Sequence, residues 1–120
     1  MLIRKSFHFI RHGETNSNVK GICSGGKMDV PLNPKGIEQA GSLRKHLKDK
    51  KFGAIFASPL KRAIDTAFLA TGQIPILSAD LREWEAGDFE EKPVAAFLKH
   101  IRDLPAHIPL PKGRVSRGFF

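Results

Sequence analysis

The sequence predicts an α/β domain, a mostly parallel sheet with flanking helices. Three observations carry this. Short apolar runs at 6–10, 52–57 and 74–77 alternate with segments of helical spacing. Asn-Pro and Ser-Pro pairs open two helical segments, and Gly72 closes one of them. The chain has 120 residues, enough for one domain around one core. Strands that alternate with helices pair in parallel through right-handed crossovers.

Residues 6–10 read as the first strand. The span 21–26 holds three glycines and reads as a loop. Asn33 is a cap with Pro34 at the first helical position, and Ile37, Ala40, Leu43 and Leu47 then recur at helical spacing. The lysine-rich exit at Lys48, Lys50 and Lys51 leads to a second strand at 52–57. Ser58-Pro59 repeats the cap-then-proline signature, and the helix after it carries Ile64, Ala67, Phe68 and Thr71 before stopping at Gly72. A short third strand at 74–77, a loop over 78–92 and a helix from Pro93 to about Arg102 follow. Beyond Leu104, Pro105, Pro109 and Pro111 argue against a helix or a central strand.

Composition narrows the function classes. Hydrophobic residues at 41% and charged residues at 27% are ordinary for a soluble globular protein. No segment approaches the apolar length of a membrane span, and the N-terminal apolar stretch is too short for a signal peptide. A single cysteine, Cys23, cannot form an internal disulfide, which gives the expectation of a reducing cytoplasm. Twenty Lys+Arg against 12 Asp+Glu give a net charge of +8. Such a surface steers anions, from phosphorylated metabolites to nucleic acid and lipid headgroups, although many small proteins are basic without such a role. With no RNA-recognition aromatic signature and no helix-turn-helix, neither a nucleic-acid nor a membrane partner is expected. The oligomeric state is left open.

The chemistry-bearing residues fall on one sheet edge. Arg11 and His12 follow the first strand, Arg62 lies in the first turn of the helix after the second, and Glu83 follows the third. Carboxyl ends of parallel strands are where ligands bind in open α/β sheets. The helix after Ser58 is expected to point its free N–H groups at the same edge. Each residue alone is unremarkable: a lone histidine after a strand is more often structural, and an arginine or glutamate there is more often solvated. Together they match a phosphoryl group. Guanidinium forks fit its oxygens, a neutral imidazole attacks phosphorus, and a carboxylic acid protonates the leaving oxygen and then activates water.

The words around these residues resemble the histidine phosphatase superfamily, the phosphoglycerate mutase-like proteins. The resemblance lies in Arg11-His12-Gly13-Glu14-Thr15 with Asn18, in 29–36 followed by Gln39-Ala40, in Ser58-Pro59-Leu60-Lys61-Arg62-Ala63 with Thr66-Ala67, and in 81–90. It implies a phosphoglycerate mutase-like fold, with His12 as the phosphorylated nucleophile, Arg11 and Arg62 as phosphate ligands and Glu83 as the proton donor. It places Asn18 near the phosphate and Ser24 in the same pocket. The short spacing from Glu83 to Gly87 and Glu90 is similar to the small phosphatases. The mutases carry a tyrosine-containing segment there, and this chain has no Tyr. The expectation is therefore a phosphatase acting on a small phosphorylated substrate, with no cofactor and no metal.

The family also uses a second histidine, in a His-Gly word on a later central strand that lies between the first two strands. None of His8, His46, His100 or His107 precedes a glycine. The expectation is an N-terminal part of such a domain over 1–113, lacking that strand, and a tail over 114–120 outside the pattern. Truncation, frameshift or deletion would each produce this. Three readings stay open: a phosphatase, an impaired member that binds phosphate weakly, and, carried only by charge, a nucleic-acid-binding module.

Overall fold

Asn33 caps the long helix, as its place before Pro34 predicts. The computed structural model describes residues 2–83 and 85–102. Expectations about Trp84, His107, the prolines after Leu104 and the tail over 114–120 lie outside the described residues. Helix α2 spans Pro34–Leu47, and the Asn33 side chain accepts the Gly36 N–H at 2.8 Å. Helix α3 spans Lys61–Thr71 and ends at Gly72 in the left-handed region, φ 74°. Helix α4 spans Val94–Ile101. A short helix, α1, covers Asn16–Lys20. Strands β1, Phe56–Ala57, and β2, Ile76–Leu77, pair in parallel, Phe56 with Ile76 and Ala57 with Leu77. Short 3-10 turns occupy Ala79–Leu81 and Gly87–Phe89.

The architecture is an incomplete α/β domain. Helix α3 connects β1 to β2 and packs against α2. The buried apolar residues combine four alanines, Ala40, Ala57, Ala70 and Ala86, with Leu32, Leu47, Leu60 and Phe97. Phe97 of α4 packs on Ala86, flanked by Cys23 and Phe89, and the Phe89 and Phe97 rings meet edge to face at 5.8 Å.

The structure corrects several expectations. Residues 6–10 form no ladder, so the predicted first strand is an extended run without a sheet partner among the described residues. It keeps the two-residue alternation of a strand: Phe7 and Phe9 share one face with their rings 5.2 Å apart, and His8 stacks edge-on to Phe52 at 5.6 Å. The physical reason is pairing, since a ladder needs a neighbour and β1 bonds only to β2. The second and third strands shrink to two residues each for the same reason. Helix α3 begins two residues later than Ser58-Pro59 suggests, and its cap, Leu60, has no side-chain bond. Asp29 Oδ1 instead accepts the Lys61 N–H at 2.6 Å, so an internal carboxylate occupies part of the helix end expected to be free. Helix α1 was not expected. Thr15 and Asn18 form a capping box that starts it, and Gly21 ends it at φ 63°.

Candidate active site

Helix α3 organises the site. Arg62, in its first turn, is only 2% exposed. Its Nη1 donates to Met28 O at 2.6 Å, and its Nη2 to Ser24 O at 3.2 Å and Gly25 O at 3.4 Å. The loop 24–28 is thereby wrapped around the guanidinium, which satisfies a buried charge. These bonds to three loop carbonyls fix the orientation of the guanidinium. One turn further, Thr66 Oγ1 donates to Arg62 O at 2.6 Å and accepts the Gly13 N–H at 3.0 Å. The same helix thus holds the arginine and the backbone beside His12.

Helix α2 holds that backbone from the other side. Gly13 and Gly36 lie in backbone contact, and a Cβ on Gly36 would meet Glu14 O. Glu14 N–H donates to Gln39 Oε1 at 2.9 Å, Asn33 N–H to Glu14 O at 3.0 Å, and Asn33 Nδ2 to Glu14 Oε1 at 3.0 Å. Lys35 Nζ lies 3.6 Å from the same carboxylate. Glu14 is therefore the fastener between the His12 loop and the start of α2.

His12 is half-buried, and its Nδ1 lies 2.7 Å from Gly13 O. A carbonyl only accepts, so Nδ1 carries the hydrogen and Nε2 of the neutral ring keeps its lone pair. Burial pushes the His12 pKa below its ordinary value; the Gly13 hydrogen bond raises it, Arg62 and Arg11 lower it, and Glu83 raises it. Arg62, Arg11 and Glu83 thus all lie within electrostatic range of His12. Arg11 and Glu83 are exposed. Burial pushes the Arg62 pKa down while Glu83, Asp29 and Glu90 push it up, and the guanidinium stays a cation.

The other two candidates have local duties. Asn18 is exposed, and its Oδ1 accepts the Thr15 N–H at 2.9 Å and the Thr15 hydroxyl at 3.0 Å. Ser24 is half-buried and contributes its carbonyl to Arg62. Burial pushes the Cys23 thiol up, with Glu90 and Glu83 adding to the shift, which is the opposite of an activated thiolate. Among the described residues no group of three or more His, Cys, Asp or Glu has the arrangement of a metal site.

Sequence reasoning gave no role to Thr66, Asp29 or Glu90. All three stand inside the resembling blocks, and Glu90 also enters the spacing from Glu83 that is similar to the small phosphatases. Glu90 Oε2 accepts the Gly25 N–H at 2.8 Å and its Oε1 the Ala86 N–H at 3.0 Å.

The model of the histidine phosphatase superfamily (branch 1) matches residues 7–114. The chain belongs to that superfamily. It is 38% identical over 97 residues to the phosphatase PhoE of Bacillus subtilis, covering 78% of this chain and 50% of that protein. It is 39% identical over 98 residues to the adenosylcobalamin/alpha-ribazole phosphatase of Escherichia coli, covering 79% and 44%. The crystal structure of the alpha-ribazole phosphatase from Shigella flexneri superposes with a TM-score of 0.74 at 32% identity, covering 92% of this chain and 59% of that one. The chain spans about half the length of these curated relatives. The fold is the phosphoglycerate mutase-like one of its structural neighbours. No helix among the described residues is long and apolar enough to cross a membrane.

Proposed function

We propose that this chain carries the nucleophilic half of a phosphomonoesterase site and that His12 Nε2 is the attacking atom. The observation that carries the reading is the Nδ1 bond to Gly13 O. It fixes the tautomer and leaves Nε2 with its lone pair, beside two cations that suit a phosphate. In the first step Nε2 bonds to phosphorus and the ester P–O bond breaks. The leaving oxygen takes its proton from Glu83. In the second step water attacks phosphorus, the P–N bond breaks, and the Glu83 carboxylate takes the water proton. Inorganic phosphate leaves and both residues are restored. Arg62 and Arg11 hold the equatorial oxygens in both steps. The substrate class is a small phosphorylated metabolite, in keeping with phosphatase relatives that include an alpha-ribazole phosphatase and a fructose-2,6-bisphosphatase.

The test is direct. A brief incubation with 32P-labelled phosphomonoester, quenched at alkaline pH, should leave acid-labile label on the wild-type chain and none on His12→Ala. Equal phosphate release by the two would refute the assignment.

A further inference from the structure

The Glu90 carboxylate joins two backbone segments that are distant in sequence, at Gly25 and at Ala86. Its Oε2 takes the amide of Gly25, in the loop wrapped around Arg62, and its Oε1 takes the amide of Ala86, three residues past Glu83. Between these two bonds the backbones touch: Gly26 is buried, and a Cβ there would strike the Glu83 carbonyl oxygen. Farther along, Cys23 N–H donates to Lys92 O at 2.7 Å and Glu91 N–H to Cys23 O at 3.0 Å, which lays the same loop against the chain after Glu90. Glu91 itself has φ 65°, a left-handed conformation that non-glycine residues seldom adopt. This turn lets the backbone fold onto the 21–25 loop immediately after Glu90, with the carboxylate reaching back between Gly25 and Ala86.

Glu83 is exposed and stands between the 3-10 turns Ala79–Leu81 and Gly87–Phe89, outside the helices and the ladder of the described residues. A general acid works only within hydrogen-bond reach of the atom it protonates. We infer that Glu90 is a positioning residue that ties the Glu83 segment to the Arg62-bound loop and so sets the acid against the phosphate site. This rests on the phosphohistidine reading above. Glu90 does not touch substrate. Its two acceptor oxygens are the functional feature: glutamine offers one acceptor and turns an N–H toward the other amide, so one of the two bonds is lost and replaced by repulsion.

The role has a signature that a purely structural one lacks. Acid assistance matters for a poor leaving group and hardly for a good one. In Glu90→Gln, kcat/KM for an alkyl phosphate should fall about ten-fold or more, while that for 2,4-dinitrophenyl phosphate changes about two-fold at most, since proton transfer is typically worth 10²–10⁴-fold. Glu83→Gln should show the same selectivity, and the double variant should lose little more than Glu83→Gln alone. The amides of Gly25 and Ala86 should exchange with solvent faster in Glu90→Gln, a readout independent of activity. Equal losses on both substrates, or unchanged exchange at both amides, would overturn the inference. So would a variant that no longer melts cooperatively, because Glu90 would then serve the fold alone. The phosphohistidine reading is judged separately, by labelling of the wild type against His12→Ala.

Discussion

At the scale of the residue, His12 couples catalysis and stability to pH in a defined direction. Burial, Arg62 and Arg11 hold its pKa below the ordinary value, and they outweigh the Gly13 hydrogen bond and Glu83. The neutral ring is the nucleophile, so the acid limb of phosphoenzyme formation should lie below about pH 6.5, the ordinary histidine value. Removing Arg11 takes away one lowering influence, so Arg11→Ala should move that limb upward while slowing the reaction. For stability, the unfolded chain has the higher His12 pKa and binds the proton more readily than the folded one. Stability therefore falls as pH drops from the unfolded value through the folded one. Melting from about pH 7.5 to about pH 5.5 should show a decrease in Tm that is smaller in His12→Asn. An identical decrease in both would remove His12 from the linkage. Arg11 stands beside His12 in the sequence, but the burial that is the largest lowering cause and the approach of Arg62 come only with folding.

At the scale of the element, backbone approach outweighs propensity at one glycine of α2 and not at another. Gly36 and Gly41 lie in the same helix. Glycine costs about 1 kcal/mol relative to alanine inside a helix. At Gly41 a Cβ meets nothing within 4 Å, so Gly41→Ala should stabilise by about 0.5–1 kcal/mol. At Gly36 the new Cβ would run into the Glu14 backbone, which cannot rotate away as a side chain can. Overpacking costs about 1–3 kcal/mol, more than the propensity gain, so Gly36→Ala should destabilise. It should also loosen the His12 loop, because Glu14 is the contact. Denaturant melts of the two variants check the opposite signs; the same sign for both would place the Gly36–Glu14 contact elsewhere. The helices themselves were legible. Asn33-Pro34 and Gly72 are local signals whose physics needs no neighbour, and both hold. The start of α3 was not legible, because its first N–H is met by Asp29, 32 residues away in sequence. The candidate site residues were proposed from familiar words around them. Their supports, Thr66 and Glu90, act through backbone amides of distant loops that no local pattern encodes.

At the scale of the whole molecule, the strand pattern and the ladder part company. Alternation over 6–10 encodes an extended chain, and the chain is extended, but the partner is a property of the sheet rather than of the segment. The consequence is apolar surface: Phe9 is 87% exposed, Phe7 74% and Ile74 85%. Phe56, Ile76 and Leu77, on the two paired strands, are also exposed. A soluble monomer seldom leaves so many large apolar side chains uncovered. Net charge opposes the association that this surface favours, since chains at +8 repel one another. The balance should therefore depend on salt. Raising ionic strength from about 0.1 M to about 1 M shortens the screening length from about 10 Å to about 3 Å and removes the repulsion, while leaving apolar burial intact. Sedimentation should show association that strengthens with both protein and salt concentration, and a dye that binds apolar surface should light up on the dilute chain. Phe9→Asp should weaken both signals without lowering Tm, because a side chain so exposed contributes little burial to the fold. Association that weakens with salt would instead make charge the attraction, and an unchanged signal in Phe9→Asp would move the adhesive surface away from the 6–10 segment.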